Sequence, residues 1–256
     1  MQNIARERMC KGEKLIGTFS VLGSEISVEG LSFGNLDYII IDTEHGPFSE
    51  ESAQNYIRAA RVRKLSPFVR IKEISRSAVL RLLDAGADGL IVPCIQSVDE
   101  VKRLVEYAKF HPLGQRGFGI VRATGYGQED FAQNIDSYFA LANRETLLVP
   151  QCETVGCLEH IEEICKIPGV DGIFIGPFDL SVSMGIPARF DAPEFQTAIR
   201  RVIAACKENK KFCFMFALNA AAAKQALALG VDAVTVSTDA GLLIQAARQM
   251  VADIKK

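Results

Sequence analysis

One short phrase recurs four times in this chain of 256 residues, and it restricts the fold more than any other feature. It reads Gly34-Asn35-Leu36-Asp37 before Tyr38-Ile39-Ile40-Ile41, and Gly86-Ala87-Asp88 before Gly89-Leu90-Ile91-Val92. It returns as Gly169-Val170-Asp171 before Gly172-Ile173-Phe174-Ile175, and as Gly230-Val231-Asp232 before Ala233-Val234-Thr235-Val236. Glycine suits the left-handed residue just past a helix end. The apolar, β-branched run that follows suits a strand buried on both faces. Each copy is therefore an αβ junction.

Between the copies the apolar residues recur with helical spacing. Ser75 precedes Arg76–Asp84 as a cap. Ser97 and Glu100 stand three apart, as a capping box requires. Pro193 opens a helix after Asp191-Ala192. Further strand-like runs at Leu15–Val21, Pro67–Ile71, Leu147–Cys152 and Phe212–Ala217 bring the predicted strands to eight, near 15–21, 38–43, 67–71, 89–93, 147–152, 172–177, 212–217 and 233–237. Strict βα alternation implies a parallel sheet, and eight units imply a closed (β/α)8 TIM barrel. An open doubly wound sheet is the rival, but no Gly-x-Gly-x-x-Gly follows a strand. No linker divides residues 1–256, so a single domain is expected. The glycine-rich stretch His111–Glu129 is too long for a plain turn and is expected to be a functional loop.

Composition excludes some functions. Hydrophobic residues make up 48% of the chain, enough for a full core, and the formal charge of −2 gives no support for nucleic-acid or membrane partners. Seven cysteines in no framework spacing predict buried free thiols in a reducing compartment. The first residues lack an apolar signal core and no run approaches a membrane span, so a soluble cytoplasmic protein is expected.

In such a barrel the active site lies at the C-terminal ends of the strands. The polar residues there are Asp42, Glu44 and His45 after the second strand, Arg70 and Lys72 at the third, Gln151 and Glu153 at the fifth, Asp179 after the sixth, and Ser237, Thr238 and Asp239 after the eighth. Glu153 and Asp179 close successive strands and are candidate ligands for a hard divalent cation such as magnesium or manganese. Either acid alone could simply favour a helix N-terminus. Arg70 alternates with Val69 and Ile71, so its face differs from theirs; it could hold a developing enolate or pair with an acid across the mouth. His45 is placed to exchange a proton, with Asp42 orienting it. His111 and His160 lack such a setting and read as structural or exposed, His160 within a helix. In Gly176-Pro177-Phe178-Asp179 the N–H groups of Phe178 and Asp179 could grip a carboxylate.

These residues resemble a known family. Ile41-Asp42-Thr43-Glu44-His45-Gly46-Pro47, Val92-Pro93 with Gln96, Arg116-Gly117, Gln151-Cys152-Glu153-Thr154 and Gly172-Ile173-Phe174-Ile175-Gly176-Pro177-Phe178-Asp179-Leu180-Ser181 look like the HpcH/HpaI aldolases. These are class II, metal-dependent pyruvate aldolases. The likeness runs from about Ile16 to Ala240. It implies reversible cleavage of a 4-hydroxy-2-oxo acid to pyruvate and an aldehyde. Glu153 and Asp179 would bind the cation (magnesium, manganese or cobalt), and Gln151, Gly176, Pro177 and Phe178 the substrate. Arg70 would stabilise the enolate, and His45 with Asp42 would serve proton transfer. Asp84 resembles an acid that reaches a neighbouring subunit's site. A homo-oligomer follows, a hexamer built as a trimer of dimers. Its C-terminal helix, after Asp239, would be exchanged between subunits, and the barrel would lack a regular final closure.

The chain also departs from the family. Phe178 stands where many relatives carry a small or polar residue, Cys152 where most are apolar, and the segment from Phe118 to Asp130 matches poorly and is expected near the aldehyde. Three other readings stay open: oxaloacetate decarboxylation at the same site, a Schiff-base aldolase using Lys72, which would share Arg70's face, and a barrel that binds a keto acid without turnover.

Overall fold

The computed structural model describes residues 2–255 and has eight parallel strands closed into a barrel in the order β1 to β8. The strands are β1 (Leu15–Ser20), β2 (Tyr38–Asp42), β3 (Ser66–Arg70), β4 (Gly89–Val92), β5 (Leu147–Cys152), β6 (Gly172–Ile175), β7 (Phe212–Ala217) and β8 (Ala233–Thr238). All eight lie where the sequence predicts them. The helices are α1 (Ile4–Cys10), α2 (Glu25–Leu31), α3 (Glu50–Val62), α4 (Arg76–Asp84), α5 (Val98–Ala108) and α6 (Ile135–Glu145). They continue as α7 (Val155–Glu159), α8 (Ile161–Lys166), α9 (Pro177–Ser183), α10 (Pro193–Glu208), α11 (Ala220–Leu229) and α12 (Asp239–Ile254). Ser75 caps α4, and Ser97 with Glu100 forms the capping box of α5. His160 lies at the break between α7 and α8 rather than within a helix. Among the described residues no helix is long and apolar enough to cross a membrane.

The recurring phrase has a physical role that extends beyond the turn. Gly86, Gly169 and Gly230 take the left-handed conformation; in the first copy Asn35 takes it instead of Gly34. Each aspartate of the phrase then ties three strands together at the base of the barrel. The N–H groups of Asp37, Asp88, Asp171 and Asp232 donate to the carbonyls of Ile16, Pro67, Leu148 and Cys213 at 2.8–2.9 Å, and their carbonyls accept from Ser66, Leu147, Phe212 and Leu15 at 3.0–3.1 Å. Three of the carboxylates also accept the N–H of the first-named neighbour: Ile16, Leu148 and Cys213. At Asp88 that neighbour is Pro67, which has no N–H, and the carboxylate pairs with Arg61 at 2.5 Å.

Side chains alternate along each strand. One set, including Ile39, Ile41, Val69, Ile71, Leu90 and Val92, packs outward under the helices. The other fills the barrel: Tyr38, Phe68 and Phe214 meet edge to face at 5.6–6.0 Å, and Gly17 leaves the space the Tyr38 ring fills. The Tyr38 hydroxyl is hydrogen-bonded to Thr235 Oγ1 at 2.8 Å. A second aromatic layer of Phe19, Phe174 and Phe216 lies above and carries the site. The barrel closes by β1–β8 pairing, with one register shift between Gly17 and Phe19, so closure is more regular than the resemblance implies.

Two other expectations are corrected, and one short helix was not foreseen. Five cysteines are buried, but Cys10 and Cys94 are exposed. The short α1 is fastened to the base through Asn3, whose side-chain amide donates to the carbonyls of Asp88 and Glu145. The stretch after His111 lies at the base and outer wall, not beside the mouth of its own barrel. The physical reason is α5, which carries the chain from the mouth to the base before the stretch begins. There Arg122 donates to the Ala85 carbonyl and Arg116 pairs with Asp84 at 2.8 Å.

Candidate active site

The C-terminal mouth encloses a cavity of about 270 Å³ lined by Phe19, Val21, Asp42, His45, Arg70, Gln151, Phe174, Gly176, Pro177, Phe178, Asp179, Phe216 and Thr238. Arg70 is its cationic centre. As the last residue of β3 it points inward opposite Asp42 of β2. Its Nε and Nη2 donate to the two Asp42 oxygens at 2.9 and 2.6 Å, and its Nη1 lies 3.0 Å from Glu44 Oε2. The guanidinium carbon stands 4.7 Å above the Phe19 ring. A two-pronged ion pair stacked on an aromatic face fixes the guanidinium plane. Burial opposes its charge, but the paired carboxylates prevail and hold its pKa above the ordinary value.

Asp42 is thereby committed to Arg70. It meets His45 only through the backbone, accepting the N–H groups of Glu44 and His45 at 3.1 and 3.4 Å. The orienting contact with the imidazole expected from sequence is not made. His45 itself is exposed at the rim of the cavity.

Glu153 follows β5 and is buried. Its Oε1 accepts the Cys94 N–H at 2.7 Å, and its Oε2 accepts from the Gln151 side-chain amide through a short hydrogen bond. Burial pushes its pKa up; the Cys94 N–H opposes this, and the nearby Glu44 and Asp179 carboxylates add to it. Burial likewise raises Glu44 against the pull of Arg70. Asp179, exposed in the first turn of α9, lines the cavity, while Glu153 lies behind its lining, near enough for the two charges to act on each other. The first turn of α9 also leaves the N–H groups of Phe178 and Asp179 outside the helix's own bonding, since the first main-chain bond there runs from Leu180 to Gly176.

These residues fit a divalent cation. The carboxylates of Asp42, Glu44 and Glu153 act on the one guanidinium, and Asp179 adds a fourth negative charge beside Glu44 and Glu153. Among the described residues Gln151 Oε1 is buried and finds no hydrogen-bond partner. Gly176 keeps the space open, since a Cβ there would sit 3.1 Å from Glu153 Oε2 and 3.0 Å from Gln151 Nε2. Among the described residues no three His, Cys, Asp or Glu side chains are grouped so as to hold a metal ion. A cation held by two carboxylates, Glu153 and Asp179, would take its remaining ligands from water and substrate.

Asp84 is not brought into this mouth. It ends α4, at the other end of the barrel, with Arg116. Lys72 also lies outside the cavity: β3 ends at Arg70, the chain turns, and Lys72 faces Glu50 at 3.7 Å, so it does not share Arg70's face. The sequence reading missed Cys94. It follows Pro93 at the end of β4 in a left-handed conformation, with Sγ 3.9 Å from Glu44 Oε1. Burial and the Glu153 and Glu44 carboxylates push its thiol up to about 11. The strand-end rule applied to β4, as to its neighbours, identifies it. Asp239, by contrast, is structural: it accepts from Ser20, Val21 and Leu22 and holds the end of β1.

Comparison with known proteins assigns the chain. The family model for HpcH/HpaI aldolase/citrate lyase matches residues 15–246. A 2-keto-3-deoxy-L-rhamnonate aldolase from Salmonella gallinarum is 31% identical over 248 residues, spanning 96% of this chain and 91% of that one. An HpcH/HpaI aldolase/citrate lyase family protein from Burkholderia cenocepacia superposes with a TM-score of 0.91 at 32% identity, covering all of both chains. An HpcH/HpaI aldolase from Desulfitobacterium hafniense gives 0.89 at 28% identity, covering 98% of this chain and 96% of that one. The chain belongs to the HpcH/HpaI aldolase/citrate lyase family and is an enzyme of the aldolase class.

Proposed function

We propose that this family member cleaves a 4-hydroxy-2-oxo acid reversibly to pyruvate and an aldehyde, with a divalent cation held by Glu153 and Asp179. The observation that carries the reading is the pair of acids at the ends of neighbouring strands, beside a pinned guanidinium and above an open cavity. When bound, the cation supplies Lewis-acid polarisation of the 2-oxo group. Arg70, held flat by Asp42, offers N–H donors where the enolate oxygen develops, without reorganising. The Phe178 and Asp179 N–H groups receive the substrate carboxylate, and Gln151 contacts the bound acid from the cavity floor. His45 at the rim exchanges the proton of the 4-hydroxyl, directly or through a water. Oxaloacetate decarboxylation draws on the same groups and is expected as a side activity.

Magnesium, manganese and cobalt are the candidate ions. Removing divalent ions with a chelator should lower pyruvate release from 4-hydroxy-2-oxo acids by at least about 100-fold, and one of these ions should restore it. Full activity in excess chelator, with inactivation by borohydride plus pyruvate, would instead indicate a Schiff base.

The proposed assembly is a hexamer, a trimer of dimers. In α12 only Asp239 is buried, while Leu243, Ile244, Met250, Val251 and Ile254 are exposed. A face of that kind calls for a partner, and exchange of α12 between subunits supplies one. Asp84 and the 118–130 segment would then reach a neighbour's mouth. Sedimentation of the intact chain as a monomer would overturn this. The free thiols support a cytoplasmic setting, which cell fractionation tests.

A further inference from the structure

We infer that Phe178 selects the aldehyde half of the substrate, favouring 4-hydroxy-2-oxo acids whose C4 substituent is apolar (alkyl or aryl) over those with polyhydroxylated tails. The inference rests on the cleavage reaction proposed above. The cavity is divided. Its polar groups, Asp42, Arg70 and Gln151, gather at the ends of β2, β3 and β5, where the oxo acid would be held. Three of its four phenylalanine rings are committed to the protein: Phe19 packs at 6.0 Å against both Phe174 and Phe216, and it carries Arg70. Phe178 has no ring partner among the described residues. It remains 54% exposed while lining the cavity next to Asp179.

That exposure is not looseness. Pro177 opens α9 and fixes its own φ, and Ser181 Oγ donates to the Phe178 carbonyl at 2.6 Å while accepting the Ala188 N–H at 2.9 Å. The Phe178 N–H would receive the carboxylate, and the ring is presented beside it from a braced backbone, exposed at the cavity wall where the rest of a bound acid would pass. An alkyl or aryl tail lying on it removes apolar surface from water on both partners. A hydroxylated tail in the same place gives up water for a face that offers it no hydrogen bond. A hydrophobic pocket rejects an added hydroxyl by up to about 100-fold, and a half-exposed ring by less.

The test is a matched pair of six-carbon substrates: 4-hydroxy-2-oxohexanoate against 4,5,6-trihydroxy-2-oxohexanoate, of the same configuration at C4, assayed with manganese or magnesium. The intact enzyme should favour the alkyl substrate by about tenfold or more in kcat/KM, and Phe178→Ala and Phe178→Asn should each reduce that ratio by about tenfold. Preference for the hydroxylated acid, or a ratio unchanged in both variants, overturns the inference and leaves the cleavage reaction standing. Cleavage of neither substrate overturns the cleavage reaction itself. Calorimetry with 2-oxohexanoate and its 5,6-dihydroxy counterpart then decides selection without turnover, and equal affinities sink it. The wild-type comparison stands even if a variant fails to fold.

Discussion

Lys109 and Glu153 are both buried ionisable groups near strand ends of one barrel, and the protein treats them oppositely. Lys109, at the base, spends all three of its donors: Nζ bonds the carbonyls of Asn143 and Thr146 at 2.9 and 2.6 Å and the Asp171 carboxylate at 2.7 Å. Burial lowers its pKa and the Asp171 charge opposes that. Glu153, at the mouth, has hydrogen bonds but no ion-pair partner among the described residues, and two further carboxylates bear on it. The base is electrostatically closed. The mouth carries a deficit of positive charge that a ligand can fill. Stability and chemistry are therefore separated along the barrel axis, as the (β/α)8 architecture permits.

The largest test of this contrast is Glu153→Gln. It should cut kcat by about 10³-fold or more by removing a cation ligand, yet raise the Tm of the metal-free protein at neutral pH. The sign follows from the raised pKa. The folded state binds the Glu153 proton more tightly than the unfolded chain does, so its contribution is most favourable at low pH and is lost as pH rises through the folded value. The Tm gain of the variant should accordingly shrink as pH falls toward the ordinary glutamate pKa. Calorimetric melts across pH, with and without manganese, read both parts. A lower Tm at neutral pH would break the comparison.

At the base the expectation reverses. Lys109→Met leaves the Asp171 carboxylate and two carbonyls short of a donor and should cost about 3 kcal/mol, with kcat of the folded enzyme unchanged. Denaturant unfolding alongside single-temperature kinetics checks this, and a fall in kcat equal to that of the mouth variant would show the two ends to be coupled. The smallest effect is expected in the lower aromatic layer, where Tyr38→Phe removes only the hydrogen bond to Thr235 and should cost about 1 kcal/mol. An effect above that of Lys109→Met would place the stabilising charge network elsewhere.

The strands were legible because most are short runs buried on both faces and four are announced by the glycine-aspartate phrase, and neither signal depends on distant residues. The acids at strand ends were legible for the same reason: topology alone fixes which end of a strand is the mouth. What was not legible depended on pairing across the chain. Asp42 stands three residues from His45, and proximity suggested a dyad; Arg70, a full βα unit away, takes both carboxylate oxygens instead. The glycine-rich stretch suggested a loop over the site, but the length of α5 decides where it starts, and that is the base. Cys94 escaped notice because a cysteine among seven has no spacing that marks it, although its place just past β4 does. The N-terminal α1 is too short for periodicity to reveal, and its anchor at Asn3 reaches across 142 positions to Glu145.

The four aspartates of the repeated phrase have a consequence for how the barrel counts to eight. Each joins its own even-numbered strand to the odd-numbered strands on both sides, so that Asp37 links β1 to β3, Asp88 β3 to β5, Asp171 β5 to β7, and Asp232 β7 back to β1. The last link, between residues at the two ends of the chain, uses the same pair of main-chain bonds as the other three, with Asp232 N–H on Cys213 and Leu15 N–H on the Asp232 carbonyl. The circle therefore needs no dedicated latch. A local instruction issued four times adds up to a closed figure, and the first strand is met by the fourth repetition of a rule it did not write.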